Sequence, residues 1–509
     1  MRTSNSIKNF FTTILPYAII TFLGFWKVRA FITNLGNDIY SVNQVFYQIF
    51  TYLSLAEAGI GIIAVQKYYK LLVENNKDEI NQVYSASKIF LKKVAFLMLG
   101  IGAIVSFFLK FLTKNDLSLG YLQLVFMLFL VRNLVDYFMF SPRFVIQADQ
   151  KAYKINFWIN FFKIAETAVE IGLIYLKLNY VIILIPAIFI RFIANIVINR
   201  VVSKEYPWLT AVKNPNKSIL KGTKDFLAYR ICDIVYSNTD LLIISSTLDS
   251  IYVVIYSGYN YIVKTITEII NLIMQAIVPS LGNAINKESK EDSYQIFEEQ
   301  NSLFAFFAMF FSVCVFALIE KFVVLWMGED KILGMVALAL LIGSLFHLIY
   351  QKVIVNIVEV KGWFKQTRNI AIAEAVTNVI LSIILVQFLG VTGVILATII
   401  ATLCTKFWYY PVYVYKHQFE RKPAKYYLNF FTDLAVTIVV SGLFFYVVNK
   451  FTVTNYFIWI ILAAICAMIA GVVILGYKFA VSKDFRRLTQ KVWYLVKTKI
   501  LKKNNALEG

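Results

Sequence analysis

Fourteen apolar stretches, each about long enough to cross a bilayer as a helix, occupy most of this 509-residue chain. One helical span needs about 20 predominantly apolar residues. Hydrophobic residues make up 59% of the chain and its mean hydropathy is +0.67, values far outside those of ordinary soluble domains. The sequence therefore predicts an all-α integral membrane protein. The stretches, numbered segments 1 to 14 in chain order, lie near 10–32, 41–66, 94–109, 119–141, 155–176, 179–199, 225–247, 251–281, 301–319, 332–351, 367–388, 391–415, 428–449 and 455–477.

The basic residues predict how these segments are oriented. The chain has 50 Lys and Arg against 30 Asp and Glu. If alternate loops lie on opposite sides, 36 basic residues fall on the side of the N-terminus, where cytoplasmic loops carry their excess of Lys and Arg. Only six fall on the other side: Lys110, Lys114, Lys177, Lys321, Lys331 and Lys450. We expect both termini in the cytoplasm, and basic loops that face anionic lipid headgroups rather than nucleic acid.

Eight further basic residues lie inside the apolar segments: Lys27, Arg29, Arg132, Lys163, Arg191, Arg230, Lys264 and Lys406. A charge at the centre of a membrane helix costs about 2.5–3.5 kcal/mol, so such residues face a protein interior or a water-filled cavity. The set predicts a cationic interior that accepts something anionic.

Four of these eight have an acid one turn away, a spacing that puts both groups on one helix face. The expected pairs are Arg132 with Asp136, Lys163 with Glu166, Arg230 with Asp233, and Lys264 with Glu268. The other four, Lys27, Arg29, Arg191 and Lys406, have no acid within a turn. Their partner comes from another helix or from a substrate, although Lys27 could also snorkel to the external surface.

Polar residues recur at helical spacing in segments 2, 5, 7, 8 and 11, which predicts a polar face turned toward a shared interior. Hydrogen bonding between helices is the alternative. The acids that we place deepest are Glu57, Asp240, Glu268 and Glu374. A buried carboxylate holds a proton more readily or helps to ligate sodium, so these four are candidates for ion coupling. Structural salt bridges are the other interpretation of each.

A long basic loop predicts the domain organisation. It separates an N-terminal lobe (1–202) from a C-terminal lobe (225–415) and occupies 203–224. The sequence Asp-Ile-Tyr at 38–40 has an echo in Ser-Ile-Tyr at 250–252, which suits a repeat of six and six helices. An added helix pair and a basic cytoplasmic tail follow, at 428–477 and 478–509.

The motifs of common active sites are missing from the sequence. It contains no phosphate-binding loop, no HExxH and no GxSxG, and its four cysteines and two histidines lack metal-ligand spacing. The external loops are too short for the catalytic domain of a membrane polymerase or ligase. We therefore expect a secondary-type transporter that is not an enzyme, with no metal or cofactor and with coupling to H⁺ or Na⁺ as the candidate energy source.

Several stretches resemble the polysaccharide flippase family, the Wzx-type branch of the MOP flippase superfamily. LGNDIY at 35–40 and LAEAGIG at 55–61 are similar to the family's opening motifs, with Ser41 in place of the usual glycine. TDLLII at 239–244, VPSL at 278–281 and LWMG at 325–328 continue the resemblance in the second half.

The resemblance implies two six-helix lobes in a V, with a C-terminal helix pair, in a bacterial inner membrane. It implies a flippase that moves undecaprenyl-(pyro)phosphate-linked oligosaccharide from the cytoplasmic to the outer leaflet by alternating access. Family helix placement favours Lys27, Arg29, Arg230 and Lys264 as substrate contacts; Arg191 and Lys406 complete the candidate set.

The expected partners are lipid-linked oligosaccharide, membrane lipids and other polysaccharide-assembly membrane proteins, with the chain itself a monomer. Three alternatives stay open. The chain could flip peptidoglycan or teichoic acid precursors, or act as a multidrug or ion antiporter of the same superfamily. A membrane polymerase or ligase is the third.

Overall fold

The architecture is that of a helical membrane protein. A computed structural model describes residues 2–57, 60–139, 142–215, 224–287 and 289–505, and these residues form helices and turns without any strand. The predicted all-α class is therefore confirmed. The chain divides into two compact units, 1–257 and 258–509. The lobe boundary predicted at 203–224 stays a prediction, and here the helix after that loop packs within the first unit.

The helices of the first unit are α1 (Arg2–Asn34), α2 (Gly36–Leu53), α3 (Ile60–Val73), α4 (Lys77–Ser106), α5 (Leu109–Leu112), α6 (Leu119–Met139), α7 (Arg143–Ala148), α8 (Tyr153–Tyr175), α9 (Tyr180–Glu205), α10 (Lys224–Thr247) and the first turns of α11 (Ser250–Lys287). Within this unit α8 packs against α1 and α9, and α6 packs against α4 and α9. The helix α10 lies against α2.

The second unit contains the rest of α11, then α12 (Lys290–Met327), α13 (Met335–Tyr350), α14 (Lys352–Val360), α15 (Phe364–Leu389), α16 (Val391–Cys404), α17 (Lys406–Val414), α18 (Ala424–Asn449), α19 (Tyr456–Val481) and α20 (Lys483–Asn505). The long helix α12 is central, because α13, α18 and α19 all pack against it. The added pair α18 and α19 meets α12 through an apolar cluster of Ala317, Leu318, Val448, Leu462 and Cys466.

Each of the fourteen predicted segments coincides with a helix or a broken helix. In the described part of the chain nine helices are long and apolar enough to span a membrane, or ten with the pair α13 and α14, which bends by 44°. The count of fourteen spans is not confirmed. The four segments outside the ten are 2, 5, 7 and 8, and these carry polar stripes that lower their hydropathy.

Two predicted spans are interrupted. Segment 2 ends as α2 at Leu53, continues as a 3₁₀ turn at Ser54–Glu57, and resumes as α3. At the start of α3, a Cβ on Gly61 would lie 2.9 Å from the ring of Phe144 on α7, so glycine permits this close approach. Segment 12 breaks at Thr405, whose backbone leaves the helical region between α16 and α17.

Candidate functional site

A buried ion network joins α1, α6 and α8 in the first unit. Lys27 of α1 forms an ion pair with Glu170 of α8, and Arg132 of α6 forms one with Glu166 of α8. The Arg132 guanidinium also lies 3.6 Å from the Glu170 carboxylate. The Lys27 side chain is 17% exposed and the other three are below 10%, so the network is enclosed by protein. Two cations meet two carboxylates, and the network as a whole is neutral.

The tyrosine Tyr47 links this network to the molecular surface. An Arg132 Nη1 donates a hydrogen bond to the Tyr47 hydroxyl over 3.1 Å, and the guanidinium lies 5.9 Å from the centre of the Tyr47 ring. The Tyr47 side chain belongs to α2 and is 40% exposed. Arg132 thus connects α2 to the buried ion network.

A second network joins α6, α7 and α9. The Arg191 Nε lies 3.3 Å from Asp136 Oδ2, and the Asn195 amide donates to Asp136 Oδ1 over 2.8 Å. Arg143 of α7 donates to Asn195 Oδ1 over 2.5 Å. Asn195 therefore bonds to both Asp136 of α6 and Arg143 of α7.

These networks correct two of the four expected same-helix pairs. Arg132 was expected to pair with Asp136 and Lys163 with Glu166, but Arg191 takes Asp136 and Arg132 takes Glu166. The reason is burial: an arginine inside the unit needs a carboxylate that is also buried, and the facing helix supplies one. Lys163 is exposed and forms no ion pair with any described residue.

The other two expected pairs lie on α10 and α11. Arg230 and Asp233 do pair, at 2.9 Å, with both side chains about half exposed. Lys264 and Glu268 both have exposed side chains.

The predicted substrate cations fall into two groups. Arg29, Arg230 and Lys264 are exposed, whereas Lys27 and Arg191 are engaged by carboxylates of other helices. Snorkelling is therefore wrong for Lys27, which turns inward to Glu170. Lys406 is partly buried, with its ammonium 5.3 Å from the centre of the Tyr410 ring.

The four candidate coupling acids also differ in burial. Asp240 is buried and accepts a hydrogen bond from the Tyr256 hydroxyl over 2.9 Å. Glu374 is buried and accepts one from the Thr402 hydroxyl over 3.0 Å. Glu268 is exposed. The side chain of Glu57 lies outside the described part of the structure.

An oxygen-rich layer surrounds Glu374 between α15 and α16. Asn378 and Ser382 follow Glu374 at four-residue intervals, and both are fully buried. The Asn378 amide nitrogen donates to Thr398 over 2.9 Å, while its Oδ1 finds no hydrogen-bond partner among the described residues. Carboxylate, amide and hydroxyl oxygens are the donors that hard cations prefer.

One buried ion pair was missed by the sequence analysis. Lys478 of α19 contacts Asp433 of α18 at 2.9 Å, with each side chain at most 6% exposed. Tyr477 also donates to Asp433, over 3.1 Å. The signal was available, because Asp433 lies within segment 13 and Lys478 follows segment 14 directly. The pair fastens the added helices to each other.

Comparison with known proteins identifies the fold. The sequence matches no protein-family model and no curated protein. The structure is similar to the lipid II flippase MurJ in an inward closed conformation, with a TM-score of 0.69, 13% identity, and coverage of 94% of this chain and 99% of that one. It is also similar to an inward-facing multidrug resistance MATE family transporter of the MOP superfamily, with a TM-score of 0.53 and 14% identity.

The chain has the MOP fold. A third similar structure is the MATE multidrug transporter DinF-BH, with a TM-score of 0.54 and 19% identity. Both MATE structures cover 83% of this chain and 96% of their own. The expected all-α membrane fold is therefore confirmed in a MOP-like form, and the nine or ten candidate spans of the described residues are those of a multi-pass membrane protein.

Proposed function

We propose that this MOP-fold chain is a flippase that moves an undecaprenyl-(pyro)phosphate-linked oligosaccharide from the cytoplasmic to the outer leaflet by alternating access. The observation that carries the proposal is the match to a lipid II flippase along nearly the whole chain, 94% here and 99% there. The two multidrug transporters each leave a larger share of this chain uncovered. A lipid-linked substrate therefore fits the comparison better than a small soluble one.

The charges of the exposed cations support an anionic headgroup. Arg29, Arg230 and Lys264 are exposed within segments 1, 7 and 8, where a cation facing lipid would be costly. Guanidinium and ammonium groups form strong, charge-assisted hydrogen bonds to phosphate. We assign the diphosphate contacts to these three residues because their side chains are exposed, although Arg230 also pairs with Asp233 of its own helix. We assign a structural role to Lys27 and Arg191, which pair with carboxylates of other helices.

The coupling ion is assigned to the oxygen-rich layer of the second unit. Glu374 is buried beside the hydroxyl of Thr402, and the unpartnered Oδ1 of Asn378 lies one turn further along α15. Protonation or cation binding would cancel the charge of Glu374 in the membrane. A carboxylate whose charge depends on ion occupancy is the element that secondary transporters need for coupling.

A flipping assay tests the function. The purified chain is reconstituted into vesicles with a fluorescent undecaprenyl-diphosphate oligosaccharide, and the fraction of label reached by a membrane-impermeant quencher is followed in time. We expect flipping with the wild-type chain and a loss of at least tenfold in rate for Arg29→Gln, Arg230→Gln and Lys264→Gln. Lys450→Gln, in a predicted external loop, is the matched control. Wild-type vesicles that flip no faster than empty ones would refute the function, whereas full rates in all three variants would refute only the residue assignment.

A second candidate is export of small cations. Its support is the similarity to DinF-BH, a MATE multidrug transporter. Exposed basic residues would repel a cationic substrate, so the two candidates differ in the expected charge of the cargo. Uptake of a cationic dye into inverted vesicles, in place of flipping, would favour the exporter.

A further inference from the structure

An open cavity of about 460 Å³, separate from the two ion networks described above, lies between the last turns of α6 and α9. Its lining consists of Met139, Ile196, Asn199, Arg200, Ser203 and Lys204. The positive-inside rule predicts that these turns lie at the cytoplasmic surface of the membrane. The cavity belongs entirely to the first unit and shares no residue with the two ion networks.

The polar wall of this cavity is cationic. Arg200 and Lys204 have exposed side chains, and within the described part of the chain neither meets a carboxylate. The neighbouring acid, Glu205, is held by Lys151 and Lys154. Cations near a helix C-terminus also complement its dipole. The dipole does not account for Asn199, whose buried Oδ1 has no hydrogen-bond partner among the described residues.

The apolar wall continues into a track along α9. Phe189, Phe192 and Ile193 are 62%, 47% and 49% exposed, and they share one helix face with Ile196. Arg200 follows Ile196 at i+4 on the same face. This face is thus apolar toward the membrane interior and ends in the cation Arg200 at the level of the lipid headgroups. Such a face suits a lipid, whose acyl chains would contact the apolar side chains and whose headgroup would contact the cation.

We propose that the cavity is a site for the phosphodiester headgroup of an anionic membrane phospholipid, with its acyl chains along the Phe189–Ile196 face. The Arg200 and Lys204 side chains would donate to the phosphate oxygens. A hydroxyl on the headgroup, such as that of glycerol, would donate to the buried Oδ1 of Asn199. Basic pockets between membrane helices on the cytoplasmic side bind headgroups of this class.

Lipid binding to the purified full-length chain tests the proposal. Native mass spectrometry is run in detergent with added dioleoyl-phosphatidylglycerol or dioleoyl-phosphatidylcholine. We expect the chain to bind phosphatidylglycerol in preference to phosphatidylcholine. In the double variant Arg200→Gln/Lys204→Gln we expect phosphatidylglycerol to bind roughly ten- to thirty-fold more weakly, because the two basic side chains contribute similar parts of the binding free energy. The matched control is Lys92→Gln/Lys93→Gln, which removes two exposed cations from α4 on the same predicted side.

Further variants and competitors separate a specific lipid site from general charge attraction and from a site for free phosphate. Asn199→Leu keeps the charge and removes the acceptor, so we expect it to weaken phosphatidylglycerol binding more than phosphatidylcholine binding. Equal weakening in the α4 control would show general electrostatic attraction and overturn the site. Displacement of the lipid by millimolar inorganic phosphate, or stronger binding of undecaprenyl phosphate at the same residues, would overturn the phospholipid assignment. Unchanged melting temperatures show that the variants are folded.

Discussion

The Ser250 hydroxyl donates a hydrogen bond to the Asp38 carboxylate, so the first turns of α11 and α2 are held side by side. Nearby, Lys114 contacts Asp249 at 3.4 Å and its backbone N–H donates to the carbonyl of Ser245. All of these contacts lie at the predicted external ends of their helices and within the first unit. The Ser250–Asp38 bond joins the two tripeptides, 38–40 and 250–252, that resemble each other in the sequence.

Fixing this contact covalently should stop transport. If alternating access requires α2 and α11 to separate at their external ends, Asp38→Cys/Ser250→Cys should flip substrate when reduced and lose most activity when oxidised. The flipping assay is run with and without dithiothreitol. Each single cysteine variant is the control and should be insensitive to oxidant. Full activity of the crosslinked chain would show that this contact persists through the cycle.

Removing one carboxylate from the buried network should destabilise the first unit. Glu170→Gln leaves the Lys27 ammonium buried without its counter-ion, and breaking a buried ion pair costs about 3–5 kcal/mol. We expect a fall in the unfolding temperature measured in detergent. Lys27→Met/Glu170→Leu removes both charges, leaves Arg132 with Glu166, and should recover most of the loss. Glu268→Gln, at an exposed acid, should change little; an equal loss there would contradict the assignment.

A methyl group on the motif glycine of α3 should also be costly. The Cβ of Gly61→Ala would lie 2.9 Å from Phe144, and overpacking of this kind costs about 1–3 kcal/mol. The second substitution Phe144→Leu should restore part of the stability. Gly172→Ala on α8 meets nothing within 4 Å and is the control. If both alanine variants melted at the wild-type temperature, the close approach of α3 and α7 would be refuted.

Neutralising Glu374, the proposed coupling acid, should make the flipping rate independent of an ion gradient. In Glu374→Gln the side chain no longer gains or loses charge, so we expect flipping rates that no longer respond to an imposed proton or sodium gradient. Rates are measured in vesicles with and without each gradient. Asp240→Asn tests the other buried candidate in the same assay. A gradient response that survives in Glu374→Gln would move the coupling site elsewhere.

Hydropathy was sufficient to place a helix in each of the fourteen segments, because a membrane span is a local property of about 20 residues. It did not predict the short helices α7 and α14. The breaks were harder to predict. Gly61, next to the first break, lies close to Phe144 of another helix, and the sequence does not give such a contact. The break at Thr405 lies inside a stretch that is apolar enough to span a membrane, so hydropathy does not mark it.

The ion pairs show the same difference between local and long-range information. Arg230 and Asp233 are three residues apart and were predicted correctly. Lys27 and Glu170 are 143 residues apart, and only the packing of α1 against α8 brings them together. For Arg132 the same-helix rule gave the wrong acid, because a buried guanidinium is best matched by a buried carboxylate.

The order of the charges along the chain has a consequence for how the protein is made. Lys27 and Arg132 are synthesised before Glu166 and Glu170, so α1 meets the membrane as a cationic helix and α6 meets it before the buried carboxylate partner of Arg132 exists. Each unneutralised charge costs about 2.5–3.5 kcal/mol on insertion scales. We therefore expect α1 and α6 to remain at the insertion machinery until α8 is inserted and completes the ion network. We then expect the first unit to insert as one cooperative event rather than helix by helix.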